Sequence, residues 1–159
     1  MLVKPLMVRT MDGERRVCVD SGFFDLEIYA IYYAIYDLLG EDAWKVVWRV
    51  GDIVYTEIEE EIGALGAKDV FEAFKKLAEW LKRVGYVEDI QVRKVAEDEV
   101  EYVMLNPIIA PGAKRLVEEG RVPAHLSTAL MFAALKQFSM KAEILGKPAF
   151  LPDGSVVER

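Results

Sequence analysis

Four tyrosines, Tyr29, Tyr32, Tyr33 and Tyr36, recur at spacings of three, one and three, which on a helix gathers their side chains on one face. Tyrosine joins a large apolar ring to a hydroxyl that needs a partner, a combination that suits a ligand cavity, a subunit interface or a plain bridge between core and surface. All three readings stand at this level. His125 is the one histidine of the chain and falls at the start of an uncharged segment. At a helix N-terminus the dipole favours neutral imidazole, which donates one hydrogen bond and accepts another inside a cavity. Its alternatives are a satisfied core histidine or a plain helix-start residue. Cys18 is the lone cysteine; it lies in an apolar stretch and reads as a small buried hydrophobe. Glu57 and Glu61 stand one helical turn apart, but Glu59 and Glu60 beside them make a solvated helix face the simpler reading than a metal site.

The familiar catalytic signatures are missing from the sequence. It has no phosphate-cradling glycine loop, no paired histidines with a glutamate on a helix, and no cysteine pair for zinc. No spacing singles out a nucleophile and acid around His125. We therefore expect no catalytic residue, no metal and no cofactor. The net charge of −7 with scattered basic residues argues against a nucleic-acid partner, which would need clustered Lys and Arg. The longest apolar stretch is too short and too acidic to span a bilayer. One cysteine cannot form an internal disulfide, and the N-terminus alternates apolar and charged residues instead of resembling a signal peptide, so a cytoplasmic protein is expected. Asn106 is the only asparagine, and Gln91 and Gln137 are the only glutamines, among 47 charged residues counted as 20 Lys and Arg plus 27 Asp and Glu; that balance is typical of proteins adapted to heat.

The elements that must position these residues can be read in order. With 159 residues, of which 53% are hydrophobic, the chain suits a single domain with a real core. Asp12-Gly13 between apolar stretches marks an N-terminal β-hairpin over residues 1–22. A helical part follows over 23–85. Phe23 to Leu39 is a nearly uncharged helix stopped by Gly40. In Glu41 to Ile62 the residues Trp44, Val47, Trp48, Gly51, Val54, Tyr55, Ile58 and Ile62 form one apolar face, and a glycine in the middle of that face suggests that something approaches the backbone there. Asp69 followed by Glu72 is a capping-box start to an amphipathic helix that Gly85 ends. Residues 86–159 hold strands and a small-residue helix. Ile90 with Val92, and Val100 with Tyr102 and Met104, alternate as two strands near a sheet edge. Ala113 to Glu119 forms a short helix before Gly120, and Pro123 opens a buried helix rich in alanine. Met140, Ala142 and Ile144 alternate as a further strand, and Val156-Val157 as a last one. The fold class expected is α+β, with an antiparallel sheet packed against several helices.

From Trp44 onward this order resembles the 4-vinyl reductase-like family of hydrocarbon-binding domains, which is akin in fold to the TRAPP vesicle-tethering subunits. The resemblance rests on an amphipathic helix with a central glycine (Val47 to Glu57 around Gly51), the helix FEAFKKLAEWLKRVGY, the strands DIQVRKV and EVEYVML, and the segment VPAHLSTALMFAALK feeding MKAEIL. It implies an α+β domain, often a homodimer, with an apolar small-molecule cavity between helices and sheet. The family often carries cysteines near the small-residue helix and the final strand; here Ala124-His125 and Glu143-Ile144-Leu145-Gly146 stand in those stretches. The function so implied is binding of a hydrocarbon, lipid-like, aromatic or tetrapyrrole-like molecule. Tyr32, Tyr36, Trp48 and Phe132 are the expected lining and His125 the polar contact, with Tyr29 and Tyr33 at the dimer interface. The alternatives are an adaptor module without a ligand, or a vinyl-reductase-type enzyme or subunit.

Overall fold

The computed structural model of the chain describes residues 19–159; the expected β-hairpin of residues 1–22, with Cys18, lies almost wholly outside them. In the described residues five α-helices and a four-stranded antiparallel sheet form one α+β domain. The helices are α1 (Ser21–Leu39), α2 (Ala43–Ile58), α3 (Val70–Arg83), α4 (Ala110–Glu118) and α5 (Leu126–Gln137). The strands are β1 (Asp89–Lys94), β2 (Val100–Leu105), β3 (Ala149–Phe150) and β4 (Ser155–Glu158), in spatial order β1-β2-β4-β3.

Local chemistry sets the helix ends. Asp20 caps α1, its Oδ1 accepting the Phe23 N–H at 2.9 Å. Asp69 caps α3 by accepting the Glu72 N–H at 2.8 Å, while Glu72 reaches back to the Lys68 N–H at 2.9 Å; the box closes one residue earlier than the usual reciprocal pair. Gly40 (φ 56°), Gly85 (φ 79°) and Gly120 (φ 71°) follow α1, α3 and α4 as expected.

The centre of the fold is α5, where Thr128, Ala129, Leu130, Met131, Ala133, Ala134 and Leu135 are all buried. Small residues let α2 come close. A Cβ on Gly51 would lie 2.5 Å from the Ala129 Cβ and 2.6 Å from its carbonyl oxygen, so only glycine permits this crossing. The pair is pinned at the C-terminal end of α5 by Tyr55, whose hydroxyl donates to Gln137 Oε1 at 2.9 Å, and by Lys136, which meets Asp52 at 2.5 Å. Gly112 does the same for α4 against α1: its N–H donates to Asp25 Oδ1 at 3.0 Å, and an added Cβ would fall 2.9 Å from the Tyr29 Cβ. Burial raises the Asp25 carboxyl, although that hydrogen bond and Arg115 pull the other way.

In the sheet, Ile90 pairs with Met104 and Met104 with Val156, and Tyr102 stands directly opposite Glu158. Because side chains alternate in a strand, Tyr102, Met104, Val156 and Glu158 all turn into the domain, where they are buried.

Three expectations are corrected. Residues 140–148 carry no strand; the position beside β4 is taken by Ala149–Phe150, and the segment's tie to the sheet is the Leu145 N–H bonded to the Arg159 carbonyl at 2.9 Å. Pro123 does not open α5, since residues 122–125 precede the helix and His125 is its N-cap. The short helix expected at Ala113 begins three residues earlier, at Ala110, with Pro111 in its first turn, a position where the missing N–H costs nothing.

Candidate functional site: an aromatic cleft backed by a buried polar network

Trp44 and Trp48 lie one turn apart on α2 and stack with ring centroids 5.1 Å apart and planes at 20°. Trp48 in turn stacks on Phe132 of α5 at 4.8 Å and 16°. Trp44 meets His125 in a tilted arrangement at 5.7 Å and 37°. These contacts make a continuous ladder of flat rings from α5, across α2, to the start of α5 again. Offset stacking of this kind contributes about 0.5–1.5 kcal/mol per pair beyond area burial.

The ladder forms one wall of a half-open cleft of about 560 Å³, to which Tyr36 of α1, Val122 and Pro123 also contribute. The far wall is the irregular segment from Ala142 to Pro148. Such a volume is within the range of about 300–1,000 Å³ common for small-molecule pockets. The same segment faces a second cleft of about 500 Å³ on its other side, lined by Phe71, Phe74, Met131 and again Phe132.

Behind the ladder lies a buried polar network. Glu158 Oε2 accepts from the Tyr102 hydroxyl at 2.7 Å, is met by His125 Nδ1 at 3.0 Å, and also takes the Thr128 hydroxyl. Thr128 further contacts Tyr102 and lies 3.2 Å from His125 Nδ1. Glu158 is 6% exposed and His125 3%, so these groups answer to one another and not to bulk water. Burial pushes the Glu158 carboxyl upward, but the hydrogen bond and charge of His125, with the hydroxyls of Thr128 and Tyr102, outweigh it and hold the carboxyl below its ordinary range. Burial and the Glu158 charge hold the Tyr102 phenol well above its ordinary range. At neutral pH the pair is thus an ionised acceptor and a protonated donor.

Of the residues singled out from sequence, Tyr36, Trp48, His125 and Phe132 meet in the one cleft. Tyr32 does not join them. It is buried beside a separate hollow of about 200 Å³ lined by Phe24, Ile28, Val50 and Ala124, and burial raises its phenol. Tyr29 and Tyr33, the expected interface residues, contact each other at 5.7 Å and are covered by cations of the same chain. Arg115 lies over Tyr29 at 3.9 Å and Arg121 over Tyr33 at 3.6 Å, while Arg121 also pairs with Asp37 and Glu119. Sequence reasoning missed Trp44 as lining, and missed Glu158, Tyr102 and Thr128 altogether. The i, i+4 spacing of the two tryptophans was the available signal for the first.

Among the described residues no group of three or more His, Cys, Asp or Glu side chains converges to hold a metal ion. No helix of the described residues is long and apolar enough to cross a membrane. Comparison with protein-family models and with curated proteins finds no match to the chain.

Proposed function

We propose that this chain binds a small apolar molecule with a flat aromatic or hydrocarbon skeleton, in the cleft walled by Trp44, Trp48 and Phe132. The observation that carries the reading is the ring ladder itself: parallel aromatic planes border about 560 Å³ of unfilled space. A planar guest extends the stack at little conformational cost, because the rings are already held by one another. Burying roughly 300 Å² of ligand apolar surface at about 25 cal/mol per Å² yields about 7 kcal/mol before association costs, so the tightest binding this term alone allows is on the order of 10 μM. The reading agrees with the hydrocarbon-binding character implied by the family resemblance. It needs no catalytic group.

Native mass spectrometry of protein purified from its own host, together with a thermal-shift screen of planar aromatic and aliphatic compounds, tests the proposal. A retained apolar mass, or a melting temperature raised by at least one planar compound, supports it. A bare chain that no compound stabilises overturns it.

A homodimer through α1 is a second part of the proposal. Phe23 is 60% exposed and Leu38 83% exposed on that helix, apolar surface that a twin helix would cover. Sedimentation of the wild type beside Tyr33→Glu decides this: a dimer that the variant splits supports it, and a monomer in both cases removes it.

A further inference from the structure

Ser139 (φ 54°) and Gly146 (φ 83°) turn the chain at either end of a stretch that carries no helix or strand and in which no residue is buried. The stretch divides two open spaces. Ile144 lines the aromatic cleft of about 560 Å³, Met140 and Leu145 line the cleft of about 500 Å³, and Ala142 and Glu143 border both. Packed chains cannot shift without displacing their neighbours; this one has room on each side. Beyond the Met140 N–H, which closes the end of α5 on the Leu135 carbonyl, one backbone hydrogen bond among the described residues ties residues 140–146 to the domain, from the Leu145 N–H to the Arg159 carbonyl at 2.9 Å. Arg159 is the fixed half of that tie, since its side chain is held on β2 by Glu101 at 2.9 Å. Little buried apolar surface and few backbone bonds are what lets a segment open locally while the rest of a domain stays folded.

We propose that residues 140–146 are a strap that opens to admit the guest and closes over it, with the Leu145–Arg159 hydrogen bond as its latch. This inference rests on the apolar-ligand reading above and adds how the guest enters and is kept. A flat guest stacked on Trp48 and Phe132 has those rings on one side and the strap on the other, so the strap must bend away for it to leave. Closing lays Ala142 and Ile144 on the guest's second face and keeps water from the stack. The change falls on the two turn residues, as hinge motions fall on a few positions at element ends. Gly146 takes its share without steric cost: it has no Cβ, and one added there would meet nothing within 4 Å. A guest that binds beneath the closed strap then holds it closed by mass action.

Hydrogen exchange on the full-length protein tests the strap without any variant. In the free protein the Leu145 amide should exchange faster than the amides paired between β2 and β4, and naphthalene at about three times its dissociation constant should slow it about fourfold. A Leu145 amide as slow as those of the sheet, or one that bound naphthalene leaves unchanged, overturns the strap alone. Stopped-flow tryptophan fluorescence then compares the wild type with Leu145→Pro, which removes the latch N–H at a half-exposed residue. Loss of one neutral hydrogen bond should speed naphthalene association and dissociation alike, each by about threefold to tenfold. A wall that merely touches the guest changes dissociation alone, so an association rate that stays put contradicts the latch. If calorimetry finds no naphthalene binding at all, the apolar-cleft reading falls and the strap with it.

Discussion

Two hydrophobic cores share α5 and are filled in different ways. The first, between α3, α5 and the sheet, is mostly aliphatic: Leu77, Leu81 and Leu130 are fully buried there, packed with Met104, Met131, Leu135 and Val156. The second, between α1, α2 and α4, has Val47 and Leu116 at its centre but is ringed by Tyr29, Tyr33, Tyr36, Trp44 and Trp48, all of them partly buried. Branched aliphatic chains interdigitate to crystal-like density. Flat rings that stack on each other leave space beside the stack, and here that space is the cleft. The aliphatic core is filled at its centre and borders a cleft of about 500 Å³ only at its edge, over Phe74 and Met131, whereas the aromatic core carries its stacked rings along the cleft of about 560 Å³ that is proposed to hold the guest.

The comparison can be broken by substitution. Leu81→Ala, in the closed core, should cost the most, about 2–5 kcal/mol of unfolding free energy by urea titration, because nothing there can collapse into the void. Its effect on naphthalene affinity should be slight. Gly51→Ala comes next: the new methyl group meets Ala129 at 2.5 Å, and forcing α2 off α5 should cost about 1–3 kcal/mol, partly offset by the roughly 1 kcal/mol that alanine gains over glycine in a helix. In contrast, Trp48→Ala removes the middle rung of the ladder and should weaken naphthalene binding by about tenfold, or about 1.4 kcal/mol, with Trp44 fluorescence as the readout. If Leu81→Ala weakens binding as much as Trp48→Ala does, the two cores are not functionally distinct.

The smallest effect concerns acid. Glu158 is held below its ordinary range in the folded state, so the unfolded chain takes up its proton first as pH falls. The stability from this group is therefore complete above the ordinary carboxyl value of 4.5 and is lost progressively below it, towards the lowered folded value. Urea midpoints measured from pH 6 downward should fall less steeply for Glu158→Gln than for the wild type; parallel curves would show that the network does not hold the charge.

Much of the fold was legible because its signals are local. The stripe Val70, Phe74, Leu77 and Leu81, started by Asp69, is the α3 that the structure contains, and the glycine on the apolar face of α2 did mark a close backbone approach. The alternation of Met140, Ala142 and Ile144 misled, because a strand needs a neighbour as well as a pattern, and the place beside β4 is occupied by β3. Within the site the aromatic half was legible, and the polar half was not. Glu158 reads locally as a charge near a chain end; its partners stand 56, 33 and 30 residues away, and only the sheet register brings Tyr102 opposite to it. Tyr32 shares a helix face with Tyr36 but is one turn away, and the irregular segment 122–124 runs between their hollows, with Val122 and Pro123 in the cleft and Ala124 beside Tyr32.

The most direct test is crystallographic. Crystals soaked in 2-bromonaphthalene should show an anomalous bromine peak between Trp48 and the segment from Ala142 to Pro148, with the ring parallel to Trp48 and Phe132. A fully soaked crystal with no bromine in that cleft, or with bromine only on the outer surface, would contradict the account.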